Sequence, residues 1–239
     1  MGALSHREHL DKLIDPRIIL GAAVVAAVRR YGARRTVYRA ALRAVNTVAL
    51  VKILRAVCVE NVDPAFLRYP ERLTATFLTD RMIRRFAADP ESGMSPMFVE
   101  EALAKGDQCY GILSGDALVS YGWYSTRPTR IDPPELMLEF DNAHTYMYKG
   151  YTHPDFRGQR LHAIGMTLAL DHYRSKGLKG IVSYIEADNF DSLKSAFRMG
   201  YRVFGSVYVF SFLGTIFSHT TAGCKQYDFR VIPHEGVPA

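Results

Sequence analysis

Residues 146–165 (YMYKGYTHPDFRGQRLHAIG) constrain the fold of this 239-residue chain more than any other segment. Their pattern predicts a strand that ends at Pro154, a short loop, and a helix that begins at about Gln159. A strand that leads through a short loop into a helix is typical of domains in which helices pack on a β-sheet.

The start of this helix is a candidate anion-binding site. The first N–H groups of a helix have no partner within it, and the helix dipole adds partial positive charge there, so phosphate binds readily. Arg157 and Arg160 flank this terminus and can add charge-assisted bonds to phosphate oxygens. The alternative is an ordinary strand–loop–helix connection with two surface arginines.

The first 46 residues differ in character from the rest, and we expect them to form a helical extension. Residues 17–31 and 33–46 each indicate a helix, and Gly32 separates them. On one face of the second helix arginines recur every four residues, at Arg35, Arg39 and Arg43. This face is either solvated, or it docks to an anionic membrane surface or to an acidic carrier protein.

From about residue 47 onward, alternating elements indicate an α/β domain with a mixed sheet. Helices are predicted at 79–88, 95–105, 159–176 and 190–199. Strands are predicted at 48–59, 109–113, 118–124, 181–185, 202–213 and 226–231. A further strand is predicted either at 137–140 or, more strongly, at 145–152. The strand at 202–213 is rich in β-branched and aromatic residues, so we expect it to be buried.

Composition limits the class of protein. Three cysteines without a Cys-x-x-Cys pair exclude a disulfide framework and a cysteine-rich zinc module, and they suit a reducing compartment. The apolar run at 18–28 is too short to span a bilayer, so we expect a cytoplasmic chain, either free or peripheral to a membrane. The net charge of +6 favours a partner with phosphates or acidic groups, but no nucleic-acid-binding motif accompanies it. No metal-ligand spacing is apparent, and we expect no metal.

Two motifs resemble those of the GNAT superfamily of N-acyltransferases. The first is the pyrophosphate-binding segment, matched by Thr152, Pro154, Arg157, Gly158, Gln159 and Leu161. The second is an asparagine-containing helix, matched by Asn189-Phe190-Asp191-Ser192-Leu193 and, at its end, Met199-Gly200-Tyr201. The resemblance covers about residues 118–213. It implies a mixed, largely antiparallel sheet flanked by helices, an acyl-CoA co-substrate, and one acyl-CoA N-acyltransferase domain over residues 47–239.

The resemblance also implies how coenzyme A would bind. The backbone of the strand that ends near Tyr151 and Thr152 would hydrogen-bond to the pantetheine amides, as a strand does to its neighbour in a sheet. The turn and the helix start would hold the pyrophosphate, and Asn189 would bond the pantetheine arm with support from Ser192. Asn189 has the alternative role of a helix N-cap. The residues implied in coenzyme binding are Tyr151, Thr152, Arg157, Gly158, Gln159, Arg160, Leu161, His162, Ala163, Asn189 and Ser192.

The sequence departs from the family pattern at three positions. Arg160 stands where the family usually has glycine, and His162 where it has glycine or alanine. Large side chains there either point away from the phosphates or narrow the site. Ala196 stands where many members have a tyrosine that protonates the leaving thiolate, so that donor is missing.

The reaction that the resemblance implies is direct transfer of an acetyl or longer acyl group from acyl-CoA to an amine, with proton removal from the amine. His144, Tyr148 and Glu186 are candidates for proton transfer, because a histidine titrates near neutrality and the other two lie near the expected site. Each has the alternative role of a packed or surface strand residue. Strand alternation predicts one shared face for His144, Tyr146, Tyr148, Gly150 and Thr152.

Two alternative functions stay open at this point. The aromatic strand at 202–213 and the basic N-terminal helices would suit a long-chain donor on an acyl carrier protein. Arg160, His162 and Ala196 would suit an acyl-CoA-binding module without catalysis. The acceptor would be an amine on a small molecule, a sugar or a peptide, contacted by the loops at 63–70 and 127–135.

Overall fold

The computed structural model describes residues 16–131 and 136–233. The chain divides into two compact units, Met1–Ala49 and Leu50–Ala239. Residues 1–15 of the expected extension and residues 132–135 of one expected acceptor loop lie outside the described residues.

In the first unit, α1 (Pro16–Tyr31) and α2 (Ala33–Val45) confirm the two predicted helices. Gly32 separates them with a φ of 84°, in the left-handed region that favours glycine. The Arg39 guanidinium lies 5.4 Å from the centroid of the Tyr31 ring. None of the side chains of α2 is buried. In the part of the chain that the structure describes, no helix is long and apolar enough to cross a membrane.

The described part of the second unit contains eleven strands. They are β1 (Leu50–Val59), β2 (Leu73–Phe77), β3 (Gln108–Ser114), β4 (Ala117–Ser125), β5 (Thr129–Ile131), β6 (Leu136–Glu139), β7 (His144–Thr152), β8 (Gly180–Glu186), β9 (Arg202–Phe212), β10 (Thr215–Thr220) and β11 (Arg230–Pro233). Eight of them form one sheet in the order β10-β9-β1-β8-β7-β4-β3-β2, and β11, β6 and β5 form a second sheet. All neighbours are antiparallel except β7 and β8, so the sheet is mixed and largely antiparallel, as expected.

Four helices connect these strands: α3 (Asp80–Ala87), α4 (Pro96–Lys105), α5 (Leu161–Ser175) and α6 (Phe190–Arg198). The bounds of α4 are those predicted, because local signals set both of its ends. The Ser95 hydroxyl accepts a hydrogen bond from the Phe98 N–H at 3.3 Å, and Gly106 ends the helix with a φ of 86°.

Alternate residues of β1 divide the core between the two faces of the sheet. Val57 packs with α5 and α6 on one face, in a cluster that includes Met166 and Ala196. Cys58 packs on the other face with residues of the second sheet such as Leu138. Helices α3 and α4 cover that same face over β3 and β4.

The strand β1 lies in the interior of the main sheet although it is the first strand of the second unit. It pairs with β8 on one side and with β9 on the other, and Cys58 faces Val182 and Arg202 across these two pairings. Pairing with β1 keeps β8 in the sheet along one edge. The other edge of β8 can therefore separate from β7 while β8 stays in the sheet.

Two predictions about the C-terminal strands are wrong, and one strand was missed. Residues 226–231 are not one strand, because a 3-10 helix extends over Ala222–Tyr227 and β11 begins at Arg230. The strand β9 is not buried on both faces. Val207 and Val209 are buried, whereas the alternate residues Tyr208, Phe210 and Phe212 are 40–42% exposed. The strand β10, which follows β9 through a turn at Gly214, was not predicted.

Candidate functional site

The two parallel strands at the centre of the sheet separate after three residue pairs. His144 faces Gly180 and Tyr146 faces Val182, and beyond this point β7 does not pair with β8. At the point of separation the Ser183 hydroxyl donates to the Met147 carbonyl at 2.7 Å. The backbone edge of β7 beyond it therefore lines an opening within the sheet.

A bulge in β7 contributes to this separation. Met147 faces Tyr124 and Lys149 faces Trp123, so Tyr148 is an extra residue without a partner on β4. A bulge of this kind bends a strand and increases its twist, which turns β7 away from β8.

A cavity of about 420 Å³ occupies the gap between β7, β8 and α6. This volume lies in the range of small-molecule sites. Five of the predicted site residues line it, namely Tyr148, His162, Glu186, Asn189 and Ser192. Its other walls include Val57, Met147, Gly150, Ser183, Ala196 and Tyr201. We call this cavity the cleft.

The bulge also changes which residues share a face of β7. The rings of Tyr146 and Tyr148 stack with centroids 5.8 Å apart, so these two residues share a face as predicted. Gly150 lies on the other face, where a Cβ atom would stand 2.6 Å from Cε1 of His162. The predicted shared face is therefore wrong for Gly150, because the extra residue reverses the alternation.

The turn that follows β7 presents a row of unpaired backbone donors. A 3-10 helix over Pro154–Phe156 leads to Gly158 (φ 81°) and Arg160 (φ 61°), and α5 begins at Leu161. Within the described residues, the six N–H groups of 158–163 make no hydrogen bond, and the Ile164 N–H is the first to bond, to the Arg160 carbonyl. Successive free amides around left-handed residues form an anion-binding concavity.

The two large residues at the family's glycine positions do not close this turn. Arg160 is exposed and does not line the cleft. His162 lines the wall of the cleft against Gly150, and burial lowers the pKa of its imidazole. Glycine at 150 therefore provides the space that the His162 ring occupies.

The remaining side chains of the turn bond locally. The Arg157 guanidinium donates to the Thr152 carbonyl at 3.4 Å. The Gln159 side chain accepts from Arg72 at 3.3 Å. Tyr151 directs its hydroxyl to the Glu91 carbonyl at 2.8 Å, away from the turn. Leu161 and Ala163 are buried, so they can contribute only their backbone groups to a ligand.

Asn189 has the alternative role considered for it, that of a helix N-cap, and it also lies at the cleft. Its side-chain oxygen accepts from the Ser192 N–H at 3.2 Å, which caps α6. Asn189 and Ser192 also line the cleft, so the cap places an amide and a hydroxyl at its wall.

Sequence reasoning missed a tyrosine at the wall of the cleft. Tyr201 lines it, beyond the end of α6, and within the described residues its buried hydroxyl has no hydrogen-bond partner. Burial raises the pKa of this phenol, so it stays protonated. Ala196, at the position of the family's tyrosine, lines the same cleft and leaves space in front of it. The signal in the sequence was the tyrosine that directly follows Gly200.

The three predicted proton-transfer residues lie in different surroundings. His144 does not line the cleft, because it starts β7 at the end where this strand is still paired with β8. Glu186 ends β8 at the cleft, with Lys52 Nζ 3.7 Å from its carboxylate. Tyr148 lies at the bulge and lines the cleft.

A second cavity of about 390 Å³ lies beside Tyr148, between α4, β5 and β6. Met97, Phe98, Glu101, Lys105, Asp107, Thr129, Arg130 and Met137 are among its lining residues. Tyr148 lines this cavity as well as the cleft, so one side chain touches both. We call it the second cavity.

Two charged residues of the second cavity, which sequence reasoning also missed, surround the Tyr148 hydroxyl. This hydroxyl donates to Asp107 Oδ2 at 2.7 Å, and Lys105 Nζ lies 3.0 Å from the same oxygen. Burial and the charge of Asp107 raise the pKa of Tyr148, while burial lowers the pKa of Lys105. Asp107 is 6% exposed, so its carboxylate depends on these two donors.

Comparison with known proteins gives a match to one family model and several similar solved structures. The family model described as the acetyltransferase (GNAT) family matches residues 75–201. Similar solved structures include a GNAT-family protein from Novosphingobium aromaticivorans (TM-score 0.48, 15% identity, 66% of this chain and 63% of that one). Others are a GCN5-related N-acetyltransferase from Sphaerobacter thermophilus (0.48, 12%, 71% and 54%) and a GCN5-related N-acetyltransferase-like protein from Streptococcus suis (0.46, 17%, 67% and 62%).

The chain covers less than two thirds of the length of each of these three structures. No curated protein matches it in sequence. The family model extends over more than half of the chain and contains both the turn at 158–163 and the asparagine that caps α6. The chain belongs to the GNAT acetyltransferase family.

Proposed function

We propose that this protein transfers an acyl group from acyl-CoA to an amine. The observation that carries the proposal is the row of six unpaired amides over residues 158–163, next to a cleft that opens between two parallel strands. An anion-binding turn beside a cleft of this size suits a ligand with phosphates at one end and a narrow arm at the other.

In this proposal the turn holds the pyrophosphate. The amides of residues 158–163 point to it, and the exposed side chains of Arg157 and Arg160 add positive charge. The pantetheine arm then enters the cleft along the free edge of β7, beyond Tyr146, and bonds to the backbone as an added strand does. Asn189 and Ser192 face the arm from the other wall.

We place the acceptor amine in the second cavity. The amine must lose a proton as its nitrogen bonds to the acyl carbon. We propose that the Tyr148 oxygen takes this proton while the Tyr148 hydroxyl proton passes to Asp107, to which it is already hydrogen-bonded. This path is supported by the position of Tyr148, which touches both cavities.

As the bond between the acyl carbon and sulfur breaks, the leaving thiolate needs a proton. We assign this donation to Tyr201, which lines the cleft and whose buried hydroxyl has no hydrogen-bond partner within the described residues. It replaces the helix tyrosine that is absent at Ala196, and water returns the proton to Tyr201 after the thiol leaves. Asp107 releases the proton that it received to water, so Asp107, Tyr148 and Tyr201 all return to their starting protonation states.

We propose acetyl-CoA or another short acyl-CoA as the donor. The long-chain alternative drew on the aromatic residues of β9, but Tyr208, Phe210 and Phe212 do not line the cleft. A carrier-protein donor, membrane docking through residues 17–46 and a cytoplasmic location stay predictions. The arginine face of α2 supports the first two, and the cysteine pattern supports the third.

Turnover with a panel of acyl-CoA donors and amine acceptors, followed by thiol release and product mass, tests this function. We expect thiol release that requires an amine and gives an acylated amine of the added mass. Saturable binding of CoA without turnover on any amine would favour the non-catalytic binding module instead. Absence of CoA binding would contradict both.

A further inference from the structure

Three potential metal ligands lie together at the end of the sheet opposite to the cleft. They are Cys58 on β1, Glu60 directly after β1, and His144 at the start of β7. The thiol sulfur, a carboxylate oxygen and an imidazole nitrogen of these residues all lie within 4.8 Å of one another. The proposed function uses none of the three.

The register of three neighbouring strands produces this cluster. Cys58 faces Val182 on β8, and His144 faces Gly180 on the other edge of β8. Glu60 follows Cys58 by two residues, so it lies beside Gly180 on the same face. A Cβ atom at position 180 would collide with the Val59 carbonyl oxygen and would stand 2.9 Å from Cγ of Glu60, so glycine there allows the close approach of this segment to β8.

His144 is held in the orientation of a metal ligand. Its Nδ1 lies 2.7 Å from Asp141 Oδ1, which leaves Nε2 directed at the cluster. The side chain is only 3% exposed, and within the described residues Nε2 has no hydrogen-bond partner. Glu60 Oε1 is 3.6 Å away, too far for a hydrogen bond. Metal-bound histidines commonly bond a carboxylate through their other nitrogen in this way.

The surrounding charges leave one carboxylate oxygen available. Arg202 binds Oε2 of Glu60 at 2.6 Å and also donates to the Tyr227 hydroxyl at 2.9 Å. Oε1 is the oxygen nearer to His144. A divalent cation with a Cys58 thiolate would neutralise the combined charges of Glu60, Asp141 and Arg202.

We propose that Cys58, His144 and Glu60 bind a zinc ion, through Sγ, Nε2 and Oε1, with water in the fourth position. Sulfur, nitrogen and carboxylate donors in a set of this kind suit Zn²⁺ better than Mg²⁺ or Ca²⁺. The ion would link β1 to β7 across β8, so its role is structural. The ligands come from segments more than 80 residues apart in the chain, which is why no local spacing revealed them.

Binding must remove the thiol proton, because the thiolate is the ligand. Zinc uptake should therefore release a proton at neutral pH and should weaken as the pH falls.

The test uses the full chain, stripped of metal with a chelator and then dialysed against Zn²⁺ or Co²⁺. We expect about one zinc per chain, a rise in Tm with zinc, and a thiolate-to-cobalt charge-transfer band in the ultraviolet spectrum of the Co²⁺ form. Less than stoichiometric zinc, or a cobalt spectrum without that band, would overturn the proposal without any variant. The latter result would identify the cluster as an ion pair between His144 and Glu60.

Matched variants locate the site. Cys58→Ser and His144→Gln should lose the cobalt band and the zinc-dependent rise in Tm. Cys224→Ser, at a buried cysteine outside the cluster, and His219→Gln, at an exposed histidine, should keep both. Asp141→Asn should weaken zinc affinity by about 10- to 100-fold, as loss of a carboxylate behind a ligating histidine does. Equal zinc binding by the cluster variants and the control variants would contradict the assignment.

Discussion

The hydroxyl of Tyr148 donates to Oδ2 of Asp107 at 2.7 Å, and this contact joins two residues that are 41 positions apart. Tyr148 lies at the bulge of β7, and Asp107 directly precedes β3. The pair lies where the cleft and the second cavity come nearest to each other. We therefore expect it to control proton removal from the acceptor.

Asp107→Asn and Tyr148→Phe should each lower kcat by about 10²- to 10⁴-fold, the usual contribution of a general base. CoA affinity should change little, because the pair lies on the acceptor side. The pH–rate profile decides whether the role is chemical, since the Asp107→Asn variant should lose the limb that reports deprotonation. Asp171→Asn, an exposed carboxylate on α5, is the control. A full kcat in Asp107→Asn would refute the proton path.

Charge at the turn should determine CoA affinity. Arg157→Ala and Arg160→Glu should each weaken binding by about 1–3 kcal/mol, the range for a charge-assisted hydrogen bond. Calorimetric titration with CoA measures this, and Arg81→Ala, an exposed arginine on α3, should bind normally. Unchanged affinity in both turn variants would rule out the phosphate site.

Gly150→Ala should narrow the cleft. The added Cβ would stand 2.6 Å from Cε1 of His162 and 2.8 Å from Cε of Met147, so the imidazole must move. We expect CoA affinity to fall by about tenfold, as overpacking costs on the order of 1–3 kcal/mol. His162→Ala in the same chain should restore most of the loss.

Gly165→Ala is the control for this pair, because its Cβ would lie 3.4 Å from the nearest side chain, an ordinary contact. A loss in Gly150→Ala that His162→Ala does not repair would place the damage elsewhere in the strand. The double variant thus separates a local collision from general destabilisation.

Tyr201→Phe should lower the rate of turnover without lowering the free energy of unfolding. The variant removes a buried hydroxyl that has no partner in the described residues, so the free energy of unfolding should stay equal or rise slightly. The rate of thiol release should fall, because the thiolate loses its proton donor. If the variant has a lower free energy of unfolding but normal turnover, the hydroxyl stabilises the fold and takes no part in the reaction.

Alkaline pH should destabilise the protein through its buried phenols. Burial, with a smaller effect from the charge of Tyr69, raises the pKa of Tyr110 from 10.0 to about 12. The pKa of this phenol is higher in the folded chain than in the unfolded chain, so its contribution to the free energy of unfolding is complete below the unfolded pKa. This contribution is lost as the pH rises from about 10 to about 12. A shift of this size corresponds to on the order of 2 kcal/mol.

Tyr110→Phe should therefore flatten the fall in unfolding free energy over that pH window, as measured by urea denaturation. Tyr208→Phe, at an exposed tyrosine of β9, should not. Identical pH curves for the Tyr110→Phe variant and the parent chain would show that burial of this phenol does not affect alkaline stability.

Local signals predicted the elements that local interactions form. The bounds of α4 follow from Ser95, Pro96 and Gly106, and the turn before α5 follows from Pro154 and Gly158. The strand β10 was missed because its six residues are largely polar and exposed, and pairing with β9 forms it. Propensity alone does not reveal a strand that depends on its neighbour.

The part of the candidate site at the turn was predictable, because residues close together in the sequence form it. The rest was not predictable, because distant strands determine it. The bulge at Tyr148 arises from pairing with β4, so strand alternation failed at Gly150. His144 was assigned to the correct strand, but where β7 and β8 separate depends on β8. Asp107 and Tyr201 reach the two cavities only through tertiary packing.

The interior position of β1 has a consequence for how the chain reaches its native state. This strand leaves the ribosome before every other strand of its sheet, yet both of its partners, β8 and β9, come after residue 179. The sheet cannot close until most of the polypeptide has been made, and such non-local pairing slows folding. Deleting residues 50–59 would therefore remove the strand that joins β9 to β8. The sheet would then be divided into two parts, β10-β9 and β8-β7-β4-β3-β2.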